Sequence, residues 1–318
     1  MAIAGAIASP FFARTAAATN VDPRPRDPGA RTRVLFVVID RPEDATIESH
    51  TPNIRGLGAA VSAFDPTAHV TSRTIADLSE MHADAIDATY RPLAIIGAGS
   101  FTEWHQYGVD GDWKRKLDHW MDIIRTTHIP MLAICGSHQL VAAAFNGFGA
   151  VAHMTNDGEP VRISDELATS PPRAMWPSPR VGEEGTYPIV ATVAGSADPL
   201  VREMPHAPMA ATHHKDMVVD TTGFTLLYRG DGARAAATSA SDQVRARCHV
   251  QAMKRDDPRR ILYASQFHPE MAAFDESTGG DGGFGVEWVS GFLALARRWW
   301  DDQGAFTSRS RPTAPARG

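Results

Sequence analysis

Cysteine is scarce in this chain: Cys135 and Cys248 are the two among 318 residues. Two thiols cannot build the disulfide framework of a small secreted domain, so a reducing compartment, the cytoplasm, is expected. Long apolar runs are lacking as well. None approaches the roughly 20 residues that span a bilayer. The N-terminal MAIAGAIASPFFARTAAATN has small and apolar residues, but no basic segment precedes its thin apolar part, as a signal peptide would require. Excess positive charge is missing too. The formal net charge is -6 with both signs interspersed, which leaves no electrostatic footprint for nucleic acid. No internal repeat is visible.

What the chain has is apolar residue enough, 43%, to bury a sizeable core. RVLFVVID (33–40), LAIIGAG (93–99) and MLAIC (131–135) are continuous β-rich apolar runs, the mark of strands buried on both faces. HVTSRTI (69–75) is a further strand. Helical spacing fills the gaps between them, over 53–64, 78–86, 113–127 and 137–145. In the third of these, Leu117, Trp120, Ile123 and Ile124 recur at intervals of three and four, and the charges of WKRKLDHW make a solvated face. Strands alternating with helices predict a parallel sheet with helices on both faces. In such sheets the ligand crevice lies beyond the carboxyl ends of the strands, so Gly97–Ser100 and Cys135 should share it. After Ala150 the pattern changes to short antiparallel strands and loops, including 187–193, 224–230, 245–255 and 260–270. An amphipathic helix over 284–300 closes the chain, after a Gly-rich flexible loop. Residues 1–31 read as a mobile or surface-packed extension and 304–318 as a disordered tail.

Cys135 sits where a strand turns into a helix. A thiol there lies near the positive end of the following helix, which favours the thiolate. The elbow Ala133-Ile134-Cys135-Gly136-Ser137 is flanked by small residues, as a sharp turn demands. Gly136 leaves its N–H free for a developing oxyanion. From this segment alone, a buried apolar cysteine remains an equal reading. QFHPE, far downstream, supplies the partners a nucleophile needs: His268 as base and Glu270 as its orienting carboxylate, two residues apart at a strand end where side chains point the same way. Pro269 blocks continuation of a central strand.

Together, AICGSHQL and SQFHPE resemble the class I glutamine amidotransferases, whose motifs are G-I-C-x-G-H-Q and Q-F-H-P-E. FNGFGAV (145–151), THHKD (212–216) and LAIIGAGSF extend the resemblance, which covers roughly 33–303. It implies a single domain over 32–303 with a flavodoxin-like α/β fold: an open, mostly parallel sheet with helices on both faces and a small antiparallel section. It implies a triad of Cys135 as nucleophile, His268 as general base and acid, and Glu270 as orienter. Gly99 matches the family glycine that shares the oxyanion hole with Gly136. Gln139 matches the glutamine-binding Gln, and His213, Lys215 and Asp216 match positions that hold the substrate's amino and carboxylate groups. Ala133 and Ser137 stand where the family has glycines, and Gly97-Ala98-Gly99-Ser100 replaces its G-G-P run.

The implied activity is hydrolysis of the glutamine side-chain amide through a γ-glutamyl thioester on Cys135. It gives glutamate, and ammonia for a separate synthetase chain, with no cofactor. The alternative is a γ-glutamyl hydrolase or peptidase acting on another γ-glutamyl amide, with which the His213-His214 pair agrees. A non-catalytic regulatory subunit is a third reading, against which the intact triad stands. No metal is expected: His213-His214, and His249 beside Cys248, lack a third ligand at zinc-like spacing. GAGS lacks both G-x-G-x-x-G and the P-loop lysine. Trp104 and His105 are candidates for lining the pocket, Cys248 for a core thiol, and Trp288, Trp299 and Trp300 for core or interface anchors.

Overall fold

The apolar runs become the middle of a sheet. In a computed structural model, β1 (Arg33–Val38), β2 (His69–Thr74), β3 (Ala94–Gly97) and β4 (Met131–Ile134) are all parallel strands. Every residue of β3 and β4 is buried, as is β1 after Arg33. That is why these segments read as unbroken hydrophobic runs. The structure describes residues 32–102, 104, 110–154, 161–163, 183–230, 250–272 and 283–309. The expectations for residues 1–31, His105, Cys248, His249, the Gly-rich loop and the last nine residues lie outside that set.

Helices α1 (Thr51–Phe64), α2 (Ala83–Tyr90), α3 (Gly111–Thr126) and α4 (Gly136–Asn146) connect the strands. In α3, Leu117, Trp120, Ile123 and Ile124 are buried as their spacing requires. The Asp110 carboxylate caps it by accepting the N–H groups of Asp112 and Trp113. The helix expected over 78–86 starts later. Asp77 accepts hydrogen bonds from the Thr74 N–H and hydroxyl, which holds the chain in a turn before α2 begins. Its end is set by Arg91, at φ 45°, ahead of Pro92.

A small antiparallel sheet follows, formed by β5 (Val151–His153), β6 (Val161–Arg162) and β9 (Asp216–Val218). The main sheet continues through β7 (Glu183–Ala191), short helix α5 (Val193–Ala197), β8 (Met209–His214), β10 (Phe224–Gly230), β11 (Ala252–Arg255) and β12 (Leu262–Ser265). Helix α6 (Pro269–Ala272) leads to α7 (Gly283–Arg309). The strand order is β2-β1-β3-β4-β12-β11-β10-β7-β8. Its first five strands are parallel, in a flavodoxin-like order, and the remainder pair antiparallel. This is the mixed α/β architecture with a small antiparallel section that the resemblance implies.

Helix α7 runs to Arg309, beyond residue 304 where composition places the start of the tail, because no proline interrupts it before Pro312. Trp288 is fully buried against Phe267, Tyr228 and Phe284, and Trp300 donates its indole N–H to the Leu93 carbonyl. Both are core anchors. Among the described residues no helix is long and apolar enough to cross a membrane.

Candidate active site

Three strand ends supply the centre of the site. β4 delivers Cys135, whose N–H donates to Ser265 O of β12 at 2.7 Å. The cysteine stands at φ 49°, ψ -106°, one of two non-glycine residues with positive φ among those described. The sharp turn from strand to helix forces this conformation. Its side chain is 5% exposed, and α4 begins at the next residue. The thiol donates weakly to the His213 carbonyl at 3.6 Å, while Gln266 Nε2 donates to Sγ at 3.6 Å.

β12 delivers His268, though not by the geometry that alternation along a strand suggests. The strand stops at Ser265, and Pro269 opens α6 instead of ending a ladder. A proline suits a first helical position because its missing N–H has no intrahelical role there. The turn of α6 brings Glu270 Oε1 to 2.8 Å from His268 Nδ1. The expected pairing is therefore present, made across a helical turn rather than along a strand. With Nδ1 engaged by Glu270, Nε2 is left buried without a hydrogen-bond partner among the described residues. Burial works against a charged imidazole, yet Coulomb attraction to negative charge at Cys135 and Glu270 holds its pKa well above the usual value. Asn53, from the first turn of α1, donates to the same Glu270 oxygen at 3.2 Å.

β3 delivers Gly99. A Cβ there would lie 2.9 Å from His268 Cε1 and 3.5 Å from Cys135 Cβ, so only glycine lets the chain pass this close to both. Gly136 is as constrained: a Cβ would meet Ser100 Cβ at 2.5 Å and Ser100 N at 2.8 Å.

These residues surround a cavity of ≈ 290 Å³. Cys135, His268, Gly99, Gly136, Gln139, His213, Lys215 and Asp216 all line it, and Glu270 stands behind His268. The sequence-derived set is thus brought to one place, but not all of it in the expected way. Gln139 has its amide nitrogen committed to the Asp216 carbonyl at 2.7 Å and to Gln266 Oε1 at 3.1 Å, and its oxygen accepts from Trp104 Nε1. One lone pair on Oε1 is all that is left for a ligand. The Asp216 carboxylate is taken by His153 Nδ1. His214, adjacent to the expected His213, bridges the Asp216 carbonyl at 3.0 Å and Glu183 Oε2 at 2.8 Å. The 213–216 segment therefore meets the cavity as a braced wall with backbone groups prominent. Trp104 lines it as its position after β3 suggests, whereas nothing in the sequence singles out His50, Asn53 and Met271.

A family model described as glutamine amidotransferase class-I matches residues 108–278, more than half of the chain. Among solved structures, a putative GMP synthase subunit protein from Thermoplasma acidophilum superposes with TM-score 0.52 at 15% identity, covering 86% of this chain and 98% of that one. The glutaminase domain of Trypanosoma brucei CTPS, with bound acivicin, gives TM-score 0.53 at 15% identity, over 84% and 94% of the two chains. At such identity these likenesses show the fold. No curated protein matches the sequence.

Proposed function

Because the chain belongs to the class I glutamine amidotransferases, whose chemistry is hydrolysis of the glutamine amide, we propose that it performs this hydrolysis with Cys135, His268 and Glu270. The observation that carries the reading is that the buried Cys135 and His268 line one cavity of ≈ 290 Å³, with Glu270 hydrogen-bonded to His268 Nδ1 and Nε2 left open. Sγ attacks the amide carbon of glutamine. The carbonyl oxygen becomes an oxyanion between the N–H groups of Gly99 and Gly136. Each such donor is worth about 3 kcal/mol of barrier. His268 gives its proton to the nitrogen as the C–N bond breaks, ammonia leaves, and a γ-glutamyl thioester remains. His268 then takes a proton from water, which attacks the thioester and frees glutamate and the thiolate. Glu270, steadied by Asn53, keeps the Nδ1–H tautomer throughout. Gln139, Lys215 and the 213–216 backbone hold the amino acid end.

The ammonia goes to an acceptor carried by a separate chain, in a reducing cytoplasm. A second reading, hydrolysis of a substituted γ-glutamyl amide, draws support from Phe101 and Met271. They are 55% and 42% exposed at the cavity. Met271 follows Glu270 on α6, on the His268 side where a substituent on the leaving nitrogen would lie. The deciding experiment is glutamate release by purified protein from glutamine and from γ-glutamyl alkylamides. Glutamine turnover is expected. Turnover of the alkylamides alone would overturn glutamine as substrate and establish the second reading.

The pH profile follows from His268. Its pKa in the folded chain lies well above the ordinary 6.5, so the proton needed by the leaving nitrogen is in place at neutral pH. It is lost only as pH rises through the raised value. The basic limb of kcat/KM is therefore expected well above pH 6.5, and a limb at about 6.5 would contradict the assignment. The same proton contributes to fold stability fully below 6.5 and ceases to do so as pH climbs through the folded value.

A further inference from the structure

The loop after β3 is fastened on both sides of Gly99. On one side, the Ala98 N–H donates to Val37 O at 2.9 Å, and the Ala98 carbonyl accepts the Ser137 N–H at 3.2 Å and the Ser137 hydroxyl at 2.6 Å. Gly97 makes this possible, since a Cβ there would stand 2.6 Å from Ser137 Oγ and 2.8 Å from its Cβ. On the other side, Asp40 lies just past β1. Its Oδ1 accepts the Ser100 hydroxyl at 2.8 Å, the Phe101 N–H at 2.6 Å and the Thr102 N–H at 2.8 Å, and its Oδ2 pairs with His50 Nε2 at 2.8 Å. Between these fastenings, the N–H groups of Gly99 and Ser100 make no hydrogen bond among the described residues, and neither does that of Gly136. A trans peptide carries its C=O and N–H on opposite sides. With the Ala98 carbonyl drawn to Ser137, the Gly99 N–H is turned the other way, in a residue that lines the cavity against His268 and Cys135.

We propose that Ser137 and Asp40 are positioning residues that lock the Ala98–Gly99 peptide with its N–H presented as an oxyanion donor, so that the chain hydrolyses its amide substrate without help from an acceptor chain. The proposal rests on the hydrolytic reading above. Ser137 occupies a position where glycine would offer the N–H alone, and its hydroxyl adds the shorter of the two bonds that hold the carbonyl. Asp40 cannot reach the substrate, because it acts from behind the loop it gathers.

Ser137→Ala and Asp40→Asn, each as the full chain, test this through three readouts: kcat and KM for glutamine, alkylation of Cys135 by iodoacetamide, and the thermal midpoint. Each variant is expected to lose about 10- to 100-fold in kcat, somewhat less than removal of a donor outright. KM should stay within about twofold. Alkylation should also stay within about twofold, because displacement of iodide from a saturated carbon builds no oxyanion. The proposal is overturned if both variants keep wild-type kcat, or if alkylation falls in step with kcat, which would place the damage at the nucleophile. If Asp40→Asn does not fold, Ser137→Ala decides alone. A wild-type chain that releases no glutamate by itself overturns the acceptor-independence proposed here, whereas an active wild type with unaffected variants overturns the lock and leaves the hydrolytic reading standing.

Discussion

Cys135→Ala is expected to lower glutamate release by about 10⁴-fold or more while leaving the fold and glutamine binding in place. The size follows from the role: without Sγ no thioester forms, and what remains is the contribution of binding and the oxyanion donors. The fold should tolerate the change. Only one sulfur is removed, its contacts to the His213 carbonyl and Gln266 are long at 3.6 Å, and the Cβ against Gly99 is kept. Cys135→Ser is expected to be nearly as inactive, because a serine hydroxyl does not ionise in a site arranged for a thiolate. A glutamate-release assay and calorimetric titration with glutamine on the same preparation separate chemistry from binding. Retention of more than about 1% of activity by the alanine variant would remove Cys135 from the mechanism.

Gly136→Ala comes second in size. Its methyl group would have to share space with Ser100, at 2.5 Å from Cβ and 2.8 Å from N. Half of that obstruction is backbone, so no rotamer change relieves it. The two segments that carry the oxyanion donors must separate. A loss of about 10² to 10³ in kcat is expected, together with about 1–3 kcal/mol of stability. Gly149→Ala is the control: nothing stands within 4 Å of its added Cβ. Its kcat and urea midpoint should match the wild type. A Gly136→Ala protein with full kcat would show that the donors are elsewhere.

The sequence disclosed those parts of the molecule whose physics is local. Strands buried on both faces announce themselves as apolar runs, and α3 announces its buried face by period. The Cys135 elbow and the His268–Glu270 pair are legible because each concentrates unusual residue types in a short motif. Distance in sequence hides the rest. The partners that brace Gln139, namely Trp104, Asp216 and Gln266, lie 35, 77 and 127 residues away and leave no trace in its motif. Asp40 and His50 belong to no motif, although an aspartate just past an apolar, buried strand is a signal available in RVLFVVID. Asn53 looks like one polar residue in a helix's first turn, and only the approach of α1 to α6 gives it Glu270. Strand alternation pairs His268 with Glu270 correctly by the wrong periodicity, because Pro269 reads as a strand breaker when it is also a helix starter.

The backbone of Cys135 bears on how variants of this protein are selected. At φ 49°, ψ -106° the residue occupies a region that glycine enters freely and a side chain enters at a cost of about 1–3 kcal/mol. Glycine at that position would relax the turn, and the relief would appear as a higher melting temperature in a protein that can no longer form a thioester. A thermostability screen run without an activity filter would therefore enrich for inert protein, beginning at the proposed nucleophile itself.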